Sequence, residues 1–249
     1  MRALLVATAF LTRVPIPVTP RAVDVGSAAR WFPLVGGMLG AAGAVVAWAL
    51  TTLIGSPAPV TATLVVGLGA WVTGAIHLDG LADTADGFGG GQSREDVLRI
   101  MRDPPIGSFG AIALVIVIGI KVTALAALLD RDAAFPVLVA APAISRWTIS
   151  ALAAWLPYAR ADGGLGEAVT DGRDTIGLIM ATGITALIAI TALHEEALIV
   201  WAAAALTALW LARTAWRRIG GVTGDVFGAS VELTEASVLL CGVWLTGRP

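Results

Sequence analysis

Charge is what this sequence has least of. Only 14% of its 249 residues are Asp, Glu, Lys or Arg, against roughly 25% in a soluble globular protein. From residue 31 to residue 78 no side chain is charged at all. Cysteine is down to one, Cys241 in an apolar run, which excludes a disulfide framework and reads as a small buried hydrophobe. There is no Walker loop and no strand-borne dinucleotide fingerprint, so the common nucleotide-binding motifs are excluded. A small-residue cleavage site is missing after MRALLVATAFLTR, so that piece is expected to stay in the mature protein. Internal repeats and low-complexity tails are absent too.

What is present is hydrophobic length. Apolar residues make up 57% of the chain, mean hydropathy is +0.84, and several uncharged runs reach about 20 residues, enough to cross a bilayer core of roughly 30 Å. The expected fold is an all-α polytopic membrane bundle, one transmembrane domain over residues 1–249. About seven spans are expected, near residues 32–55, 60–78, 107–129, 133–156, 176–193, 197–213 and 226–246. The glycine- and alanine-rich GGMLGAAGA of the first suits close helix packing. Twelve of the sixteen Lys and Arg residues fall in the N-terminal segment and the loops after the second, fourth and sixth spans, and two fall on the opposite side. The positive-inside rule then puts the N-terminus in the cytoplasm and requires an odd number of crossings. Residues 1–30 carry four arginines against Asp24. TRVPIPVTPR has too much proline for a long helix, so a short helix and an extended piece along the membrane surface are expected. That segment either anchors on anionic lipid or brings an arginine to a ligand phosphate.

The acids are concentrated where the hydrophobic wall ends. HLDGLADTADGFGGGQSREDVLRIMRDPPIGSFG, residues 77–110, holds Asp79, Asp83, Asp86, Glu95, Asp96 and Asp103, a third of all the acids. Asp79, Asp83 and Asp86 are spaced i, i+4, i+7, so a helix continuing from the second span presents all three on one face. Stacked carboxylates repel. A solvated acidic helix end is one reading, but Leu81, Ala82 and Ala85 between them favour a bound cation, and magnesium takes such hard oxygen ligands. The Gly87–Gly91 run is expected to end the helix and admit a ligand close to the backbone, or to serve as a flexible linker. SREDVLRIMR reads as a short helix with Ser93 as its cap, and its arginines either satisfy the helix end or contact phosphates. A second acidic group, Asp225, Glu232 and Glu235, opens the last span, with Lys121 and Arg146 inside the third and fourth spans as partners. Ionisable residues at that depth mark function by default. His77 is a candidate base or a buried structural histidine.

Four stretches, FLTRVPIP followed by RWFPLVGG, HLDGLADTADGFGGG, IMRDPPIGSFG and GGVTGDVFGASVELTE, taken in that order, resemble the cobalamin synthase family, the adenosylcobinamide-GDP ribazoletransferases. The resemblance implies a magnesium-dependent enzyme of the bacterial inner membrane. Such an enzyme joins adenosylcobinamide-GDP to α-ribazole or α-ribazole 5′-phosphate and releases GMP, late in cobalamin biosynthesis. Asp79, Asp83 and Asp86 would then hold Mg2+. Asp86 or Asp83 would accept the proton of the attacking hydroxyl, with Asp103 and Asp225 as further ligands or bases. Arg13, Arg102 and Arg146 are candidates for phosphate contacts. Glu232 and Glu235 could bind an amide-rich corrinoid or position Lys121. Membrane lipid is the expected surrounding, nucleic acid is not an expected partner, and self-association stays open. Two other readings stay open at this point. A CDP-alcohol phosphotransferase would use a cytidine nucleotide donor, and a transporter would place its carboxylates near the bilayer midplane.

Overall fold

The computed structural model describes residues 2–18, 22–164, 166–170 and 174–247; Arg21, Arg173 and Arg248, counted above, lie outside them. Among the described residues every regular element is a helix. In chain order these are α1 (Arg2–Leu11), α2 (Ala22–Ala28), α3 (Phe32–Trp48), α4 (Ala58–Val72), α5 (Ile76–Gly90) and α6 (Arg94–Ile100). They continue with α7 (Ser108–Leu129), α8 (Ala134–Trp155), α9 (Glu167–Thr170), α10 (Thr175–Leu193), α11 (Ala197–Ile219) and α12 (Gly224–Thr246). The outward face is apolar, with Val115, Leu198 and Trp244 more than 70% exposed. In water such a surface would be an aggregation liability; against lipid tails it is the expected one.

Helix α8 is the axis of the bundle and is buried along nearly its whole length. The glycines of α3 let that helix lie directly against it. A Cβ on Gly36 would fall 2.1 Å from the Pro142 carbonyl oxygen, and one on Gly40 would fall 2.1 Å from that of Leu138. The small-residue run therefore does what its composition predicts: it brings two backbones into contact where lipid offers no hydrophobic drive between helices.

Five helical segments are long and apolar enough to cross a membrane, Asp24–Leu53, Ser108–Leu129, Ala134–Trp155, Thr175–Ile219 and Gly224–Thr246. Helices α4 and α5 are apolar enough only when taken together, and they are bent by 89° at the break between them. The 45-residue segment Thr175–Ile219 would be about 68 Å long if straight, twice a bilayer core. It folds back at His194, which has φ 52°. Trp147 on α8 proves the hairpin: its indole N–H donates to Thr182 at 2.9 Å, and its ring meets Trp201 edge-on at 5.6 Å. On a straight helix Thr182 and Trp201 would be about 28 Å apart. Counting α10 and α11 separately gives six long crossings beside the bent pair, where about seven spans are expected from the sequence.

One local expectation needs correction. The acidic stretch does not continue the second span: the chain breaks at Gly74 (φ 66°) and Ala75 (φ 57°), and α5 leaves α4 at 89°. Helix α5 therefore runs along the rim of the bundle, outside the spanning segments. It packs on the N-terminal ends of α7 and α12, with Gly80 and Gly228 back to back. The N-terminal helix packs into the bundle by one face. Val6, Ala7 and Leu11 are buried in the core, and Phe10 stacks on Phe32 with ring centres 5.6 Å apart. An extended piece follows at residues 12–18, as the prolines predict.

Candidate active site at the acidic rim

The three aspartates of α5 share a face but not an environment. Asp79 is exposed, Asp83 half-buried and Asp86 buried. Spacing explains the gradient, since seven residues of helix separate Asp79 from Asp86 by about 10 Å along the axis. One small ion cannot bridge that distance, whereas Asp79 and Asp83 are only about 6 Å apart along the axis. Asp86 lies beneath the start of α7, where its two oxygens accept the backbone N–H groups of Gly107 and Gly110, each at 2.8 Å. A carboxylate on the free N–H groups of a helix N-terminus is well placed electrostatically. Replacing Asp86 with Ala should leave both donors unpaired. Bonds to a charged group contribute about 1.5–3 kcal/mol each, so thermal unfolding in detergent should show a loss of about 3 kcal/mol or more, with Asp86→Asn losing less because it keeps one acceptor oxygen.

Across from α5 stands Asp225, in the first turn of α12. Thr223 caps that helix by accepting from Val226 N–H at 3.3 Å and donates its own hydroxyl to Asp225 at 3.2 Å. Arg160 donates to Asp225 at 2.7 Å. The Arg160 Nε is buried without a hydrogen-bond partner. Burial, together with the charges of Asp225, Asp79 and Asp86, pushes the Asp83 carboxyl up to about 7, with Arg160 pulling the other way. Asp79, Asp83 and Asp225 thus form a patch with more negative charge than its neighbours neutralise.

Among the described residues no three His, Cys, Asp or Glu side chains converge tightly enough to form a closed metal cage. The donor chemistry still fits a magnesium ion, which is held by one or two carboxylates and keeps its remaining positions for water and phosphate. Asp79 and Asp83, with Asp225 facing them, supply hard oxygens and a charge excess that a dication would relieve.

The remaining sequence candidates fall into distinct positions. Asp103 and Arg13 are exposed, and neither has an ion-pair partner among the described residues. The Arg13 side chain lies over Gly74 at the corner between α4 and α5, and its backbone N–H donates to the Val72 carbonyl at 2.7 Å. Arg102 pairs with exposed Asp162. The glycine run admits neighbouring protein: Gly87 faces Met101, Gly89 faces Phe109 and Gly91 faces Val97. Ser93 caps α6 as expected, accepting from Asp96 N–H at 3.1 Å.

Sequence reasoning missed three arginines. Arg160 carries the countercharge described above. Arg94 donates to the Ile219 and Ala159 carbonyls at 2.9 and 2.7 Å, and Arg218 to those of Phe88 and Gly91 at 2.8 and 2.6 Å. Together they fasten α5, α6, the 157–160 loop and the end of α11 into one rim. Their one signal in the sequence was an excess of arginine in loops, which the orientation rule had already absorbed.

Deeper in the bundle, Lys121 of α7 lies 2.9 Å from Glu232 and 2.8 Å from Glu235, and Arg146 of α8 pairs with Glu235. All four side chains are at least 86% buried. The partnership expected from the sequence is present, as a closed set of two cations and two anions. It borders a cavity of about 320 Å³ between α3, α4, α7, α8 and α12.

Bundle and rim define a polytopic helical membrane protein with a carboxylate-lined face at one end. The chain belongs to the cobalamin-5-phosphate synthase family, whose sequence profile matches residues 3–243. It is similar to the adenosylcobinamide-GDP ribazoletransferase of Chlorobium phaeobacteroides (strain BS1), with 39% identity covering 98% of each chain. The protein of that name from Sinorhizobium medicae (strain WSM419) is 40% identical over 94% of this chain and 92% of its own. That from Pseudomonas aeruginosa PAO1 is 39% identical over 96% and 97%. No solved structure matches the chain.

Proposed function

We propose that this protein joins adenosylcobinamide-GDP to α-ribazole or its 5′-phosphate, with magnesium, giving adenosylcobalamin or its 5′-phosphate and GMP. The observation that carries the reading is the excess of carboxylate at the rim, Asp79 and Asp83 opposite Asp225, in a chain aligned end to end with relatives named for this transfer. A ribose hydroxyl of the acceptor attacks the phosphorus on the corrinoid side of the pyrophosphate. The bond from that phosphorus to the GMP oxygen breaks, and GMP leaves with the electron pair.

Asp79 and Asp83, aided by Asp225, would hold the magnesium, which when bound neutralises charge on the pyrophosphate and on the departing GMP. The hydroxyl proton would pass to a rim carboxylate that the cation does not engage. Asp86 acts by position, fixing the α7 N-terminus against α5. Arg160, paired with Asp225, is placed to turn to a phosphate once a cation takes over that carboxylate. Arg102 and Arg13 stand at the exposed edge of the same face and can meet the nucleotide. The arginine distribution supports a cytoplasmic rim in the bacterial inner membrane, the side where a nucleotide-activated donor is made.

Transport has less support. Its intramembrane carboxylates would be Glu232 and Glu235, and these already pair with Lys121 and Arg146. The test is GMP release by purified protein in lipid, given both substrates with and without magnesium. Release that needs all three components is the expected result. Equal release without the acceptor or without the metal would reject the reading.

A further inference from the structure

The cavity of about 320 Å³ falls at the small end of ligand pockets, which span roughly 300–1,000 Å³. Its walls are apolar, mostly Val and Leu, with small residues among them such as Gly43 on α3, Gly69 on α4 and Ala141 on α8. Its charged lining is the set Lys121, Arg146, Glu232 and Glu235, whose formal charges cancel. Arg146 is 5% exposed, and its Nε has no hydrogen-bond partner. The cavity also reaches the corner between α4 and α5, where Val72, Thr73 and Leu78 line it, one residue short of Asp79.

We infer that this cavity receives a flat, uncharged aromatic heterocycle, the base of the acceptor nucleoside. The inference rests on the transferase reading above and adds the location of one substrate. Charge argues for it: a phosphate or an amine entering a set of groups that already cancel would lose hydration with no counter-ion to replace it. Size argues for it too, because the corrin macrocycle with its amide arms is far too bulky, whereas a benzimidazole-sized ring fits. Reach agrees as well. Glu232 stands seven residues beyond Asp225 on α12, about 10 Å along the helix, the length of one nucleoside. A base held here leaves its ribose hydroxyl at the rim.

The test fills the cavity from two sides. A Cβ at Gly69 meets no heavy atom within 4 Å, and one at Gly43 meets only Val65, at an ordinary 3.5 Å. Gly69→Leu and Gly43→Leu therefore intrude on the cavity without striking backbone, and thermal unfolding checks that each variant is folded. Equilibrium dialysis of purified protein in lipid, without donor or magnesium, measures binding of free benzimidazole base and of α-ribazole; turnover measures KM for each substrate.

Wild-type protein should bind the base saturably. A folded filling variant should weaken that binding about tenfold and raise the acceptor KM by a similar factor, the scale of a pocket misfit, while the donor KM stays put. Active enzyme that binds no base without donor would overturn the inference and leave the transferase reading intact. So would a rise in the donor KM alone, or base binding untouched in both variants, as expected if a lipid acyl chain occupies the space. Absence of GMP release from protein that does bind the base would instead count against the transferase reading.

Discussion

Asp83→Asn should lower GMP release by about a thousandfold or more, because a metal's stabilisation of phosphate charge contributes several kcal/mol and about 4 kcal/mol is a factor of a thousand. The substitution keeps the shape of the side chain and removes its charge. It strikes the one aspartate of α5 that faces both Asp79 and Asp225. If turnover and its dependence on magnesium both survive in Asp83→Asn, the metal assignment is wrong. Stability should move the other way in cation-free protein. The Asp83 carboxyl titrates near 7 in the fold against 3.8 for the free group. Ionised Asp83 is therefore disfavoured by folding, and its contribution to stability falls as pH rises from about 4 through about 7. At pH 8 without divalent cation, Asp83→Asn should unfold at a higher temperature than wild type, and at pH 4 the difference should vanish.

Lys121→Met should be the most destabilising single change in the buried set. It would leave Glu232 with no cation and Glu235 with Arg146 alone. Breaking one side of a buried ion pair costs about 3–5 kcal/mol, since the surviving charge is stranded in a poor solvent. The double variant Lys121→Met with Glu232→Leu should recover a good part of that loss, because a well-packed apolar pair can replace a buried ionic one. Unfolding of both variants in detergent tests this. A single variant as stable as wild type would mean that water reaches the set and hydrates Glu232.

Much of this was legible in the chain. The spans could be read because apolar runs of bilayer length have few alternatives. The pairing of Lys121 and Arg146 with Glu232 and Glu235 could be read because opposite charges buried at one depth have to meet. The corner at Gly74 was not legible: one glycine between apolar helices carries no charge or proline to announce a right-angled turn. The fate of Asp86 was hidden for a different reason. Helical spacing gives the face a residue shares, and Asp86 does share it with Asp79. What decides its role is that Gly107 and Gly110, more than twenty residues on, arrive beneath it with unpaired N–H groups. Arg160 was missed because a loop cation gains meaning only from the carboxylate opposite, and Asp225 lies 65 residues away.

Gly80 and Gly228 meet back to back, one at the start of the acidic helix and the other near the beginning of the last helix. A ribosome making this chain delivers the aspartates of α5 long before Asp225 emerges. Until α12 inserts, α5 lacks one of the two helices it packs on and Arg160 lacks the acid it holds. The rim is thus the final part of the molecule to form during biosynthesis. A prematurely terminated chain would insert most of its helices yet could not capture a nucleotide-activated substrate, so unfinished molecules in the membrane would be silent.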